Sequence, residues 1–207
     1  MAFIPLMVDL SQQHAVVVGG GQIANRRIES LLDSGANITV VSPEIIPEIY
    51  MLVEKGQIHW RAKTFQPEDL AGAFLIIAAT SQPEVNQMVK QSAPPNALVN
   101  IASDASAGNV HFPAHFKQGR LSIAISSGGA SPLLAVKIKE QLQTMFGGQY
   151  GDYLDFLYES RQRIKQSPLD EKSKNGLLKE LLSDHYQDKE QQLQLENWLR
   201  RLTKEEF

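Results

Sequence analysis

The most conspicuous absence in this sequence is cysteine. None of the 207 residues is a cysteine, which excludes disulfides, thiolate nucleophiles and cysteine-ligated zinc sites. Aromatic residues make up only 7% of the chain, and the formal net charge is -3. Nothing general in this composition attracts a polyanion, so we expect no nucleic-acid partner.

Long hydrophobic runs are also lacking. The longest, residues 73–79, is too short to cross a bilayer. The opening stretch "MAFIPLMVDL" has no basic segment of the kind that begins a signal peptide, and it already contains Asp9. We therefore expect a cytoplasmic protein with no membrane partner.

What the chain does contain is a series of short apolar runs separated by helical patterns. Ile23, Ile28 and Leu31 recur on one helical face, and Gly35 follows as a left-handed C-cap. Alternation of this kind predicts an α/β fold with a parallel sheet. From about Gly151 onward the pattern is helical, with a break predicted within residues 167–176. The predicted strands are residues 16–18, 38–41, 74–79, 98–101 and 121–125.

A glycine-rich turn lies between the first strand and the first helix, in "VVVGGGQIANRR". Gly19, Gly21 and Ala24 fit the pattern GxGxxG/A of dinucleotide-binding domains of the Rossmann type. Gly19 allows the tight turn, Gly21 lets a pyrophosphate approach the backbone, and Ala24 lets the helix pack closely on the strand. The amides of Gln22 and Ile23 then face the phosphates. The alternative is a glycine-rich turn that binds nothing.

The end of the second strand is where such domains place a ribose-binding acid, roughly twenty residues after the motif. Ser42, Pro43 and Glu44 occupy that place, and Ser42 or Glu44 can bond the ribose hydroxyls. No Arg or Lys occurs within residues 37–54 to neutralise a 2′-phosphate. The sequence therefore predicts NAD as the cofactor in preference to NADP.

Two hydroxyl side chains, Thr80 and Ser81, follow the third long strand. Ligands of open α/β sheets lie at the carboxyl ends of the strands, so we expect both residues near the cofactor. The alternative is that one of them caps the helix that begins near Pro83.

Several stretches together resemble the precorrin-2 dehydrogenase family, including the first domain of siroheme synthases: "VVVGGGQIANRRIESLLDSGANITVVSP", "IIAATSQPEVN", "LVNIASD" and "FPAHFKQGRLSIAISSGGASPLLAVKIKEQL". The resemblance implies an NAD(P)-binding Rossmann-like domain over residues 1–112, a dimerisation segment over 113–147 and a small helical domain over 148–207. It also implies oxidation of precorrin-2, a tetrapyrrole, to sirohydrochlorin with NAD⁺ on the way to siroheme, in a homodimer.

Many members of this family carry a catalytic aspartate directly after "VNVV". This chain has Ser103 at that place and Asp104 one residue later. Loss of a hydride to NAD⁺ is accompanied by loss of a proton, so we predict that Asp104 is the base that accepts it. The alternative is that Asp104 only forms a turn within "SDASAGN".

The loop "SSGGASP" is the predicted substrate-binding element. Ser127, Gly128, Gly129 and Ser131 run into a helix N-terminus, where backbone amides favour anions such as the carboxylates of a tetrapyrrole. Ser127 also matches a serine that is phosphorylated in some siroheme synthases. Ser131 can equally be the N-cap of the helix. We predict no bound metal.

Three other functions remain open at this point. The resemblance allows a second activity, insertion of Fe²⁺ into sirohydrochlorin. A regulatory module that senses NAD without turnover is a different class. A short-chain alcohol dehydrogenase is disfavoured, because no tyrosine is followed by a lysine four residues later.

Overall fold

The computed structural model describes residues 3–104 and 106–204, with side chains described as far as residue 202. The described chain divides into two compact units, and the division falls between Phe112 and Pro113.

The first unit is built on a five-stranded parallel sheet with the strand order β3-β2-β1-β4-β5. Helices connect the strands and cover the sheet on both faces, so strands such as β1 and β4 are buried along nearly their whole length and carry almost no polar residues. The predicted Rossmann-like α/β fold is confirmed. Its elements are β1 (His14–Val18), α1 (Gln22–Glu29), β2 (Asn37–Val41), α2 (Pro47–Glu54), β3 (His59–Arg61), β4 (Leu75–Ala78), α3 (Pro83–Ser92) and β5 (Leu98–Ile101).

The core of this unit lies on the two faces of the sheet. Val16 and Ile76 belong to one buried cluster, whereas Val17 and Ile77 belong to the other, as the two-residue period of a strand requires. α1 is shorter than the sequence pattern indicates. A 3-10 turn follows it, and Gly35 ends that turn in the left-handed conformation with φ 73°.

The second unit begins with an antiparallel hairpin, β6 (Ala114–Gln118) and β7 (Leu121–Ile125), and continues with helices α4 (Pro132–Met145), α5 (Gly148–Gln166), α6 (Glu171–Glu180) and α7 (Lys189–Lys204). The prediction that residues 121–125 join the parallel sheet is wrong. Only Gly119 and Arg120 separate the two strands, and so short a connection permits antiparallel pairing only. Gly119, with φ 55°, supplies the positive φ that this turn needs.

The helices of the second unit enclose a core of their own. Tyr153, Phe156, Ile164 and Leu199 are buried together, and the Tyr153 hydroxyl donates to the Leu181 carbonyl oxygen over 2.7 Å. The predicted break within residues 167–176 is only a few residues long, because α6 already begins at residue 171.

None of the helices in the described ranges combines the length and the apolar content that crossing a membrane requires.

Candidate functional site

A cleft of about 670 Å³ lies in the first unit, at the carboxyl ends of β1, β2 and β4. The chain leaves β1 towards β2 and β3 and then returns to β4 on the other side of β1. Open α/β sheets bind their ligands at this point of reversal, where loops diverge to opposite faces. Nine predicted cofactor residues line the cleft: Gly19, Gly21, Gln22, Ile23, Ser42, Pro43, Glu44, Thr80 and Ser81.

The three consecutive glycines have different structural roles. Gly19 has φ 124°, and a side chain there would overlap the Ala79 carbonyl. A side chain at Gly20 would overlap the Glu44 carbonyl oxygen, because the loop that follows β2 passes directly against the glycine turn. By contrast, among the described residues no heavy atom beyond the chain neighbours of Gly21 lies within 4 Å of its Cβ position. Gly19 and Gly20 therefore serve the packing of the loops, and Gly21 leaves open space beside the backbone.

Gly20 is a residue that the sequence analysis did not select. Its carbonyl oxygen accepts a hydrogen bond of 2.9 Å from the Ile46 amide, which holds the loop after β2 against the glycine turn. The sequence did show Gly20 as a third glycine inside the GxG pattern. A glycine is needed there because of a contact with a segment more than twenty residues away.

The N-terminus of α1 opens on the cleft. Gly21 is its N-cap and offers no side chain to the first-turn amides, and the first turn contains no acidic residue. These amides and the helix dipole therefore remain available to an anion. Gln22 and Ile23 are exposed on the cleft wall. Ala24, on the opposite side of the same helical turn, is fully buried in the core behind the cleft.

The loop after β2 is fixed from its own backbone. The Ser42 hydroxyl donates to the Glu44 carbonyl oxygen over 2.7 Å, and the Trp60 indole N–H donates to the Ser42 carbonyl oxygen over 2.9 Å. Ser42 is buried, and its hydroxyl proton is already used in the bond to the Glu44 carbonyl oxygen. The Glu44 side chain is exposed at the cleft. Of these two residues, Glu44 has the freer side chain for a ribose hydroxyl.

Two basic residues, one at the end of the neighbouring strand β3 and one just after it, lie at the same end of the sheet. The Ser42 amide donates to the Arg61 carbonyl oxygen, and Lys63 follows shortly after β3. The Arg61 Nη1 and Lys63 Nζ atoms lie 3.2 and 3.0 Å from one carboxylate oxygen of Asp69, which is only 4% exposed. Burial raises the pKa of Asp69, but the hydrogen bond from the Gln66 amide and the contacts of the two cations outweigh it and lower the pKa overall. Asp69 thus holds both cations in ion pairs.

Thr80 belongs to a turn rather than to a helix cap. Its hydroxyl accepts from the Gln82 amide and shares its one proton between the Gln82 carbonyl oxygen and Asn86 Oδ1, and Gln82 itself is the N-cap of α3. The alternative that Thr80 or Ser81 occupies the N-cap position is therefore wrong. Asn86, which the sequence analysis also missed, bonds Thr80 through both its amide oxygen and its amide nitrogen.

Asp104 lies in the turn that follows β5 and is not on the cleft wall. Its carboxylate accepts from the hydroxyl and the amide of Ser106, over 2.7 and 2.8 Å. These two bonds lower the pKa of the exposed Asp104 carboxyl. Ser103, one residue earlier, instead accepts from the Asn86 amide nitrogen over 3.4 Å. The geometry of Asp104 is that of a turn former with an ionised carboxylate.

The serine- and glycine-rich loop lies in the second unit. The Ser127 hydroxyl accepts from the Ser131 amide and donates to its carbonyl oxygen, each over 3.0 Å. Ser131 is the N-cap of α4, because its hydroxyl accepts from the Leu134 amide. Gly128 and Gly129 have φ values of 61° and 88° and form the exposed tip of the loop. The loop is held by its serines and leaves its glycines open to solvent.

The strand order, the glycine turn and the cleft define the first unit as a dinucleotide-binding domain of the Rossmann type. A family model for NAD(P)-binding domains matches residues 6–114. Models for the central domain of sirohaem biosynthesis proteins and for the SirC C-terminal domain match residues 118–145 and 150–195.

Two bacterial proteins named precorrin-2 dehydrogenase are similar over most of the chain. The one from Priestia megaterium is 45% identical over 181 residues, which cover 87% of this chain and 90% of that protein. The one from Bacillus subtilis is 39% identical, with 77% and 99% covered. Siroheme synthase 3 of Aeromonas hydrophila is 37% identical over 80% of this chain but only 36% of its own length.

A solved structure of SirC, a precorrin-2 dehydrogenase, superposes on this chain with a TM-score of 0.85. The two share 40% identity, and the match covers 96% of this chain and all of the other. The chain belongs to the precorrin-2 dehydrogenase family.

Proposed function

We propose that this chain catalyses the NAD-dependent dehydrogenation of precorrin-2 to sirohydrochlorin, a step of siroheme biosynthesis. One observation carries the proposal. The open cradle at Gly21 lies at the end of β1, in a chain 45% identical to a precorrin-2 dehydrogenase. The predicted cofactor residues and the cleft that they line are consistent with this activity.

Different segments of the cleft bind different parts of the dinucleotide. The amides at the start of α1 hold the pyrophosphate beside Gly21, and the loop of Ser42, Pro43 and Glu44 holds a ribose. The ion pairs of Asp69 support NAD rather than NADP, because they already engage Arg61 and Lys63, two cations at the same end of the sheet as this loop. When bound, NAD⁺ supplies the acceptor for the hydride that leaves the tetrapyrrole.

Removal of the hydride leaves a proton, and Asp104 accepts it in this proposal. Its carboxylate is exposed, and the Ser106 hydrogen bonds lower its pKa, so Asp104 is a weak base that stays ionised between turnovers. The carboxylates of precorrin-2 bind the loop of Ser127, Gly128, Gly129 and Ser131, where the open glycine tip precedes the N-terminus of α4.

The segment 113–147 is proposed to join two copies of the chain into a homodimer in the cytoplasm. Within the chain, its two-stranded sheet packs against α4. α4 also exposes apolar side chains, with Leu133 83% and Met145 70% accessible. Sedimentation of L133E should give a monomer where the unmodified chain gives a dimer, and a monomeric unmodified chain would contradict this part of the proposal.

The activity is tested by supplying the purified protein with enzymatically generated precorrin-2 under anaerobic conditions. NADH formation and the visible spectrum of the product are followed together, with NADP⁺ in a parallel reaction. We expect NADH and sirohydrochlorin to form in equal amounts. Binding of NAD without either signal would favour the sensing module instead.

A further inference from the structure

The side chain of Asn86 connects two loops at the carboxyl end of the sheet. Its Oδ1 atom accepts from the amide and the hydroxyl of Thr80, over 3.2 and 2.9 Å. Its Nδ2 atom donates to the Thr80 carbonyl oxygen over 3.1 Å and to the Ser103 hydroxyl over 3.4 Å. One amide therefore reaches both the loop after β4 and the loop after β5.

The chemistry of these contacts requires an amide. Asn86 is only 4% exposed, so each of its polar atoms needs a partner within the protein, and each has one. An ionised aspartate would accept from Thr80 in the same way but could not donate to the Thr80 carbonyl or to Ser103. Alanine would leave the Thr80 amide and carbonyl without the partners they now have.

The loop that Asn86 holds is also the loop against which the glycine turn packs. A side chain at Gly19 would overlap the Ala79 carbonyl and approach the Thr80 amide to 3.2 Å. Thr80 lines the cleft, whereas Ser103 immediately precedes Asp104. Asn86 is thus the hydrogen-bonded connection between a wall of the cofactor cleft and the loop that carries the proposed base.

We propose that Asn86 is a positioning residue that couples dinucleotide binding at the Thr80 loop to the placement of the Ser103 and Asp104 loop. The proposal rests on the proposed function for its catalytic consequence, but it concerns the geometry of the free and NAD-bound protein. Asn86 itself does not line the cleft, and it acts through the residues that it holds.

The test compares N86A and N86D with Q87A, a control that removes an exposed amide from the same helix. We expect N86A to weaken NAD binding by about tenfold, since it removes several hydrogen bonds from a buried site. N86A should also lower kcat, whereas Q87A should change neither the NAD affinity nor kcat. The full-length proteins are compared by calorimetric titration with NAD⁺ and by circular dichroism for retention of the fold.

The pH dependence of N86D separates positioning from a general loss of stability. Burial raises the pKa of a carboxyl, and its protonated form regains one donor. The NAD affinity of N86D should therefore increase as the pH is lowered, whereas that of N86A should not. Equal and pH-independent losses in the two variants would overturn the requirement for a donor at this position.

Hydrogen exchange tests the coupling without any turnover. In the unmodified protein, NAD⁺ should slow amide exchange in the peptide that contains Ser103 and Asp104, and in N86A this response should be lost. The same response in both proteins would overturn the coupling. If NAD binds but precorrin-2 is not oxidised, the proposed function fails while the Asn86 proposal is still decided by this measurement.

Discussion

Replacing Gly21 with aspartate should abolish cofactor binding and leave the fold intact. Gly21 has φ -96° and ψ -170°, which any residue can adopt, and in the part of the chain that the structure describes nothing beyond its chain neighbours lies within 4 Å of its Cβ position. Because Gly21 is the N-cap of α1, an aspartate there is a favourable capping residue. We therefore expect the melting temperature of G21D to equal or slightly exceed that of the unmodified chain.

The loss of affinity follows from the charge. Two like charges about 4 Å apart repel by about 4 kcal/mol at an effective dielectric constant of about 20. A penalty of that size corresponds to an increase in Kd of roughly 10³-fold. G21N provides the matched control, because asparagine has nearly the same size and caps a helix equally well but carries no charge.

The assay is calorimetric titration of each variant with NAD⁺, combined with thermal unfolding followed by circular dichroism. G21D should lose binding, and G21N should lose distinctly less. G20A should instead lose stability, because its methyl group would overlap the Glu44 carbonyl oxygen. Unchanged NAD affinity in G21D would refute the assignment of this glycine to the pyrophosphate, and equal losses in G21D and G21N would refute the electrostatic argument.

Three further predictions concern other parts of the molecule. D69N should free the two cations that this carboxylate neutralises, so the preference for NAD⁺ over NADP⁺, measured as a ratio of Kd values, should fall by about tenfold; an unchanged ratio would show that these cations do not reach the ribose. S106A should raise the pKa of Asp104, observed by carbon-13 NMR of its carboxyl, because the hydrogen bonds from residue 106 to this carboxylate are reduced from two to one. Y153F should lower the free energy of unfolding by about 1 kcal/mol in urea denaturation, since the Leu181 carbonyl loses a buried donor. An unchanged pKa in S106A would contradict the bond from the Ser106 hydroxyl to Asp104, and an unchanged stability in Y153F would contradict the bond from Tyr153 to Leu181.

The pH dependence contributed by Asp69 has a defined sign. Its pKa in the folded protein is below the ordinary value of 3.8, so its ionised form stabilises the fold above that value. This stabilisation should be lost as the pH falls from about 3.8 to the lower pKa of the folded state. D69N should lack this part of the acid sensitivity, which acid denaturation of both proteins can measure.

Several features of this protein could be predicted from the sequence alone. Strands β1, β2, β4 and β5 of the parallel sheet are short β-branched or apolar runs, and the helix after β1 repeats its apolar residues at helical spacing, so these elements are encoded by residues close together in the chain. The turn at Gly19 and Gly21 is equally local, because a strand, a tight turn and a helix N-terminus follow one another within a few residues. The same holds for the cap at Ser131.

Other features were decided only by the tertiary structure, because they depend on pairings between distant segments. Residues 121–125 read as one more strand of the parallel sheet, but the strand next to them in sequence is their antiparallel partner. Arg61 ends β3 and Lys63 follows it, and the sequence pattern did not predict β3; the parallel pairing of β3 with β2 places both residues at the same end of the sheet as the loop after β2.

Gly20 and Asn86 illustrate the same physical reason at the level of single residues. A glycine is needed at position 20 because a carbonyl oxygen of the loop after β2 leaves no room for a side chain. An amide is needed at position 86 because it bonds groups in two loops that follow different strands. Local periodicity determines which segments become strands and helices. Which side chains then meet at the carboxyl edge of the sheet depends on strand order, and this order results from long-range packing of the apolar faces.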